Sequence, residues 1–420
     1  MALSDEKKSK VKYLIVGAGI SGLSLASRTG DYLVIEKDAE VGGLCKTIKR
    51  NGYIWDYSGH FFHFKEPELK AQFIDSMPSE EIITKEKNTK INRKNLLIDF
   101  PFQKNIHQLD KQDFIDCLYD LYFREEKDIY SSFEQMLYGK FGKSITEMFL
   151  KPYNEKLYAC DLNNLEVDAM GRFFPYANVD EIIGNMRKQD NSSYNGTFLY
   201  PRDGAVSFVE LLMKKIDSKK LWLGCELLRV DVENHVATTT NGEIEYEYLI
   251  NTAPLNQFCD ILKIPYGNAL SSNKVLVFNM GFDKKSQYTK LHWMYFPEKK
   301  YNFYRVGFYD NILDQDKLSI YVEIGFPENA IIDEEVELHK TLSGLKETGI
   351  ISDHKLVDYC SIVMNPAYVH INEESENFKK KTFEVFKRNG IYSIGRYGKW
   401  TYCSIEDCVL DAIDVLEHTK

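Results

Sequence analysis

An apolar stretch, Val11-Lys-Tyr-Leu-Ile-Val16, runs straight into Gly17-Ala-Gly19-Ile-Ser-Gly22. A second apolar stretch, Tyr32-Leu-Val-Ile-Glu36, ends in an acid nineteen residues after Gly17. Strand, three spaced glycines, short helix, strand and acid form the fingerprint of a dinucleotide-binding βαβ unit. Gly17 permits the tight turn, Gly19 lets backbone approach a pyrophosphate, and Gly22 lets the helix pack against the strand. The helix N-terminus offers N–H groups to phosphates, and Glu36 can hold a ribose hydroxyl. Only fourteen positions separate Gly22 from Glu36, so the helix is expected to be two to three turns long.

The rest of the chain wraps more than one core around that unit. At 420 residues, two or three domains are expected. No run approaches the roughly 20 apolar residues that span a bilayer, and the first ten residues are polar and charged. Eight cysteines without a CxxC pair argue against zinc or a disulfide framework, and a reducing cytoplasm fits. A net charge of −10 argues against a nucleic-acid surface, although a local arginine pair would suffice for an anionic small molecule. Apolar periodicity of three to four predicts helices over 107–122, 131–141 and 145–158. Alternation predicts strands within 221–251, with Asn241-Gly242 marking a hairpin. Further strands are expected at 274–280, 302–308 and 318–324, with helix over 373–388 and a short strand at 390–395. Ser404-Ile-Glu-Asp407 has capping-box spacing and starts a last helix whose stripe is Ile405, Val409, Ala412, Ile413 and Leu416.

Glu36-Lys37 leads into Gly42-Gly43-Leu44, where paired glycines let backbone pass beneath a cofactor. This acid followed by a Gly-Gly element resembles the flavin-binding superfamily of protoporphyrinogen oxidase, amine oxidases and UDP-galactopyranose mutase. Later motifs are similar to the mutases in particular. His60 and His63 match the histidines of a Gly-Pro-His-Ile-Phe-His element, with Gly59 in place of the proline. Two histidines three apart also suit a metal, but no third ligand is apparent. Phe100-Pro101-Phe102-Gln103 resembles the mutase Pro-Phe-Asn/Gln segment. Tyr158 stands where the mutases have tryptophan. Arg172 falls near one diphosphate-binding arginine, in loose register, and reads equally as a surface residue. Arg305, in Tyr301-Asn-Phe-Tyr-Arg305, matches the other. Gly395-Arg396-Tyr-Gly398-Lys-Trp-Thr-Tyr402 resembles the C-terminal Gly-Arg-x-Gly-x-Tyr-x-Tyr signature. Ser404 stands where the mutases commonly have aspartate, which leaves the sugar open. Asn251-Thr-Ala-Pro254 resembles the exit from the flavin domain.

The resemblance implies an α/β fold: a discontinuous Rossmann-like FAD-binding domain (1–99, 203–255 and 386–420), a helical insertion (100–172), and an antiparallel-sheet substrate domain (173–202 and 256–385). It implies FAD held by Gly17, Gly19, Gly22, Glu36, Lys37, Gly42, Gly43, Leu44, His60, Leu227, Gly395, Arg396, Ser404 and Ile405, with Leu227 under the adenine. It implies reduced-flavin N5 attack at the anomeric carbon of a nucleotide sugar, with NAD(P)H as a candidate reductant. Arg172, Arg305, Tyr402 and Tyr158 would then handle the diphosphate and His60 would tune the flavin, in the building of a surface polysaccharide. A homodimer is compatible with it, and no metal is expected. The alternatives are an amine or protoporphyrinogen oxidase-type oxidoreductase, and a carrier without flavin, as in GDP-dissociation inhibitors sharing this fold.

Overall fold

In a computed structural model, residues 9–191 and 196–419 are described. The strand Ser9–Val16 lies at the centre of a seven-stranded sheet. It pairs in parallel with Tyr32–Glu36 on one side, from Tyr13 opposite Tyr32 to Val16 opposite Ile35. On the other side it pairs in parallel with Gly242–Asn251, ending with Val16 opposite Asn251. Leu221–Leu223 extends the first edge, and the antiparallel Val236–Thr239 and Leu227–Asp231 extend the second. A parallel core covered on both faces needs apolar residues at successive positions. Leu14, Ile15, Val34 and Ile35 are accordingly buried without alternation.

One face is covered by the short helix Ile20–Ala26, all of it buried, and by the last helix, Ile405–His418. The other is covered by Leu255–Leu262 and Glu373–Arg388. The expected hairpin is present, with Thr239 opposite Gly242. The last helix carries the expected capping box: the Ser404 hydroxyl accepts from the Asp407 N–H, and the Asp407 carboxylate accepts from the Ser404 N–H.

A second seven-stranded sheet runs in the order Leu356–Met364, Asn273–Phe282, Ser319–Pro327, Arg305–Phe308, Trp293–Tyr295, Thr89–Arg93 and Leu96–Asp99. Its pairs are antiparallel except where Trp293–Tyr295 meets Thr89–Arg93. Residues 89–99, grouped with the nucleotide-binding region in the sequence reading, thus hydrogen-bond into this sheet. The expected strand over 302–308 starts only at Arg305, because Asn302 turns its side-chain amide to Glu337 and Thr341. The helices Lys111–Tyr122, Phe133–Ile145 and Lys151–Tyr158 pack on one face of the sheet, and Glu334–Glu347 packs on the other.

Candidate cofactor cavity and the aromatic cluster beside it

The turn after the first strand forms one end of the site. Gly17 takes φ +102°, and its N–H donates to the Ile35 carbonyl at 2.8 Å. A Cβ at position 22 would lie 2.0 Å from the Gly17 carbonyl oxygen, so only glycine lets the helix start this close to the strand. The Gly42 N–H donates to the Ala18 carbonyl at 2.8 Å, which draws the Gly-Gly segment against the same turn. Glu36 ends its strand with the carboxylate taking the Ala18 N–H at 2.7 Å and the Asp38 N–H at 3.0 Å. Two backbone donors fix that carboxylate at the lip of the turn, where a ribose would meet it.

From this turn runs a cavity of about 940 Å³, in the upper range for small-molecule sites. It is lined by Gly17, Gly19, Glu36, Lys37, Gly42, Gly43, Leu44, His60, Leu227, Arg396, Ser404 and Ile405. Gly22 and Gly395 do not line it. Gly22 serves the helix–strand contact, and the Gly395 N–H donates to Asp411 at 3.0 Å. Leu227 is joined at its end by Cys225, Glu226 and Phe258. Sequence reasoning missed the segment Val363–Pro366, along with Tyr57, Cys403 and Cys408, all of which line the cavity.

At the other end the cavity meets a cluster of aromatic rings. The Arg396 guanidinium lies 4.6 Å from the Tyr402 ring centroid and 5.3 Å from that of Tyr368. Tyr402 stacks on Tyr368 and meets Phe173 edge-on at 4.7 Å. Tyr158, 2% exposed, packs edge-on to Tyr368 at 5.9 Å. Burial lifts the Tyr158 and Tyr368 phenols above their ordinary range, so both are neutral hydroxyls at physiological pH.

Arg305 and His60 are joined by a relay through Ser58 and Glu323. Arg305 Nε and Nη2 each donate to the Glu323 carboxylate at 2.6 Å. The Ser58 hydroxyl donates to the same carboxylate, and the Ser58 carbonyl faces His60 Nδ1 at 3.0 Å. A carbonyl only accepts, so Nδ1 carries the proton and Nε2 of neutral His60 keeps its lone pair. Burial pushes the His60 pKa down to about 4, and the nearby Arg396 and Arg305 charges add to the effect. Glu323 is a residue the sequence reading missed. Arg172 is placed differently from Arg305. Its Nη2 bonds Asp407 at 2.8 and 2.9 Å and Ser404 at 3.3 Å, at the cap of the last helix. It does not line the cavity, but its guanidinium lies over Phe173, which touches Tyr402. His63 points elsewhere, with Nδ1 3.1 Å from the Thr197 carbonyl. Among the described residues, no group of three His, Cys, Asp or Glu side chains could hold a metal, and no helix is long and apolar enough to cross a membrane.

A family model described as an NAD(P)-binding Rossmann-like domain matches residues 15–76. The reduced UDP-galactopyranose mutase crystal structure superposes with a TM-score of 0.91 at 21% identity, over 97% of this chain and 93% of that one. The chain has the fold of UDP-galactopyranose mutase. The resemblance drawn from the motifs therefore holds at the level of the fold. Putrescine oxidase bound to putrescine superposes more loosely, with a TM-score of 0.62 at 12% identity, over 98% of this chain and 100% of that one. Protoporphyrinogen oxidase 2 (chloroplastic/mitochondrial) of Arabidopsis thaliana is 36% identical over 74 residues, 17% of this chain. The chain spans only 15% of that relative's length.

Proposed function

We propose that this protein is an FAD-dependent enzyme of the UDP-galactopyranose mutase type, acting on a nucleotide sugar. One observation carries the reading: His60 and Arg396 both line the cavity, the Arg396 guanidinium also lies over the rings of Tyr402 and Tyr368, and His60 feels the charges of both Arg396 and Arg305. A cofactor held along the cavity would end where an anionic substrate can be received. The residues fit FAD. Gly17 and Gly22 shape the pyrophosphate turn, Glu36 takes a ribose hydroxyl, and Leu227 supports the adenine. Arg396, half-buried and cationic, compensates negative charge at the ring end.

Bound and reduced, the flavin would supply a nucleophile for the anomeric carbon of the sugar. The chain's own part is position and charge compensation. Arg305 offers a charged fork to the departing diphosphate, held in place by Glu323. The neutral Tyr158 and Tyr368 hydroxyls donate without cost in charge, and Tyr402 completes the wall. His60 Nε2 accepts a hydrogen bond at the ring edge. Arg172 joins the diphosphate only by leaving Asp407. In this reading the enzyme works in the cytoplasm with NAD(P)H as a candidate reductant, and its product serves the building of a surface polysaccharide.

The competing reading is an oxidase of the amine or protoporphyrinogen type. One observation favours it: Arg172, the second candidate diphosphate ligand, is engaged by Asp407 and Ser404. The deciding experiment mixes purified protein anaerobically with dithionite and UDP-galactopyranose and separates the products. Conversion to the furanose form by reduced protein alone supports the mutase reading. Peroxide release from an amine or porphyrinogen in air, with no conversion, supports the oxidase.

A further inference from the structure

Two cysteines meet in the cavity wall. Cys403 immediately precedes the Ser404 cap of the last helix, and Cys408 lies in its first turn. Their sulfur atoms are 3.8 Å apart, in van der Waals contact, and both residues line the cavity. We propose that Cys403 and Cys408 form a peroxide-reactive dithiol, closed to a disulfide by hydrogen peroxide or an organic hydroperoxide that enters the cavity.

The surroundings divide the labour between the two sulfurs. Either sulfur can donate to the other; this contact, the Ser21 hydroxyl and the Arg396 N–H hold the Cys408 pKa below that of an ordinary thiol, against the opposing effect of burial. The first turn of a helix favours an anion at the same place. Burial moves Cys117, Cys160 and Cys259 the other way, up to about 12. Cys408 is therefore the attacking thiolate and Cys403 the resolving thiol.

In the first step the Cys408 thiolate attacks one peroxide oxygen. The O–O bond breaks, hydroxide leaves, and Cys408 becomes a sulfenic acid. In the second, Cys403 sulfur attacks Cys408 sulfur, the S–O bond breaks, and the S–S bond forms. The proton from Cys403 joins the departing oxygen as water. Two thiols lose two electrons in all, and hydrogen peroxide is reduced to two waters. The reaction involves no nucleotide sugar, so its failure and a failure of the mutase reading are separately visible.

The test is made on the whole protein, reduced, freed of reductant and treated with one equivalent of hydrogen peroxide. After denaturation and alkylation, trypsin releases residues 400–420 as one peptide carrying both sulfurs. The expected product is that peptide, unalkylated and two hydrogens lighter, while the Cys117 and Cys259 peptides are alkylated in full. Cys403→Ser should leave Cys408 as a sulfenic acid that dimedone labels, and Cys408→Ser should leave Cys403 fully alkylatable. A doubly alkylated wild-type peptide, no dimedone label in C403S, or equal oxidation of Cys403 in C408S would each overturn the proposal.

Discussion

Replacing Glu323 with glutamine removes a charge and keeps the shape. In the wild type, two 2.6 Å bonds tie this carboxylate to Arg305, and it also accepts the Ser58 hydroxyl. Its side chain is 1% exposed and that of Arg305 is 19% exposed, so water cannot replace the lost partner. Breaking one side of such a buried pair costs roughly 3–5 kcal/mol, and the residual exposure of Arg305 favours the lower end. A chain of this length has an unfolding entropy of roughly 0.9 kcal/mol/K, so about 3 kcal/mol lowers Tm by about 3 °C. The assay is thermal unfolding with and without UDP. If Arg305 serves a diphosphate, UDP supplies the missing anion and raises the Tm of E323Q by more than it raises that of the wild type. An unchanged Tm in E323Q refutes the energetics of the buried pair. A UDP shift no larger than in the wild type refutes the diphosphate role.

Gly22→Ala places a Cβ 2.0 Å from the Gly17 carbonyl, which must spread the pyrophosphate turn; the purified variant should lose bound flavin absorbance. His60 takes a proton near pH 6.5 when unfolded but only near pH 4 when folded. Its contribution to stability is therefore present above pH 6.5 and is lost as pH falls toward 4, by about 3 kcal/mol in all. In urea titrations across that window, His60→Asn should lose less stability than the wild type does. Ser404→Ala removes a helix N-cap and should cost about 1 kcal/mol, read in thermal unfolding as a Tm lower by about 1 °C.

The dinucleotide end was legible because its determinants are local. The glycine turn, the short buried helix and Glu36 lie within one βαβ unit, and each follows from a residue type at a fixed offset. The hairpin before Gly242 and the last helix were legible for the same reason, through turn and cap chemistry. The aromatic cluster beside the cavity was legible only in part. Arg305 could be named from its motif, but its partner could not, because Glu323 is set opposite it by cross-strand register eighteen residues on. Tyr368 likewise reaches Arg396 only through tertiary packing, whereas the Cys403–Cys408 contact is local, five residues apart at the cap of the last helix. Residues 89–99 joined the second sheet because Trp293–Tyr295 offers a parallel edge, a pairing that spans some two hundred residues of chain. Arg172 shows the limit of motif transfer, since the helix cap at Asp407 competes for the guanidinium that the motif assigned to a diphosphate.

The most direct test of the central claim is an anaerobic one: the visible spectrum of the purified protein, followed by reduction and incubation with UDP-galactopyranose. The account predicts a yellow protein that, once reduced, interconverts the pyranose and furanose forms and is inert when oxidised. A colourless protein whose cavity takes up no FAD would contradict it, as would a yellow one whose reduced form leaves the sugar unchanged.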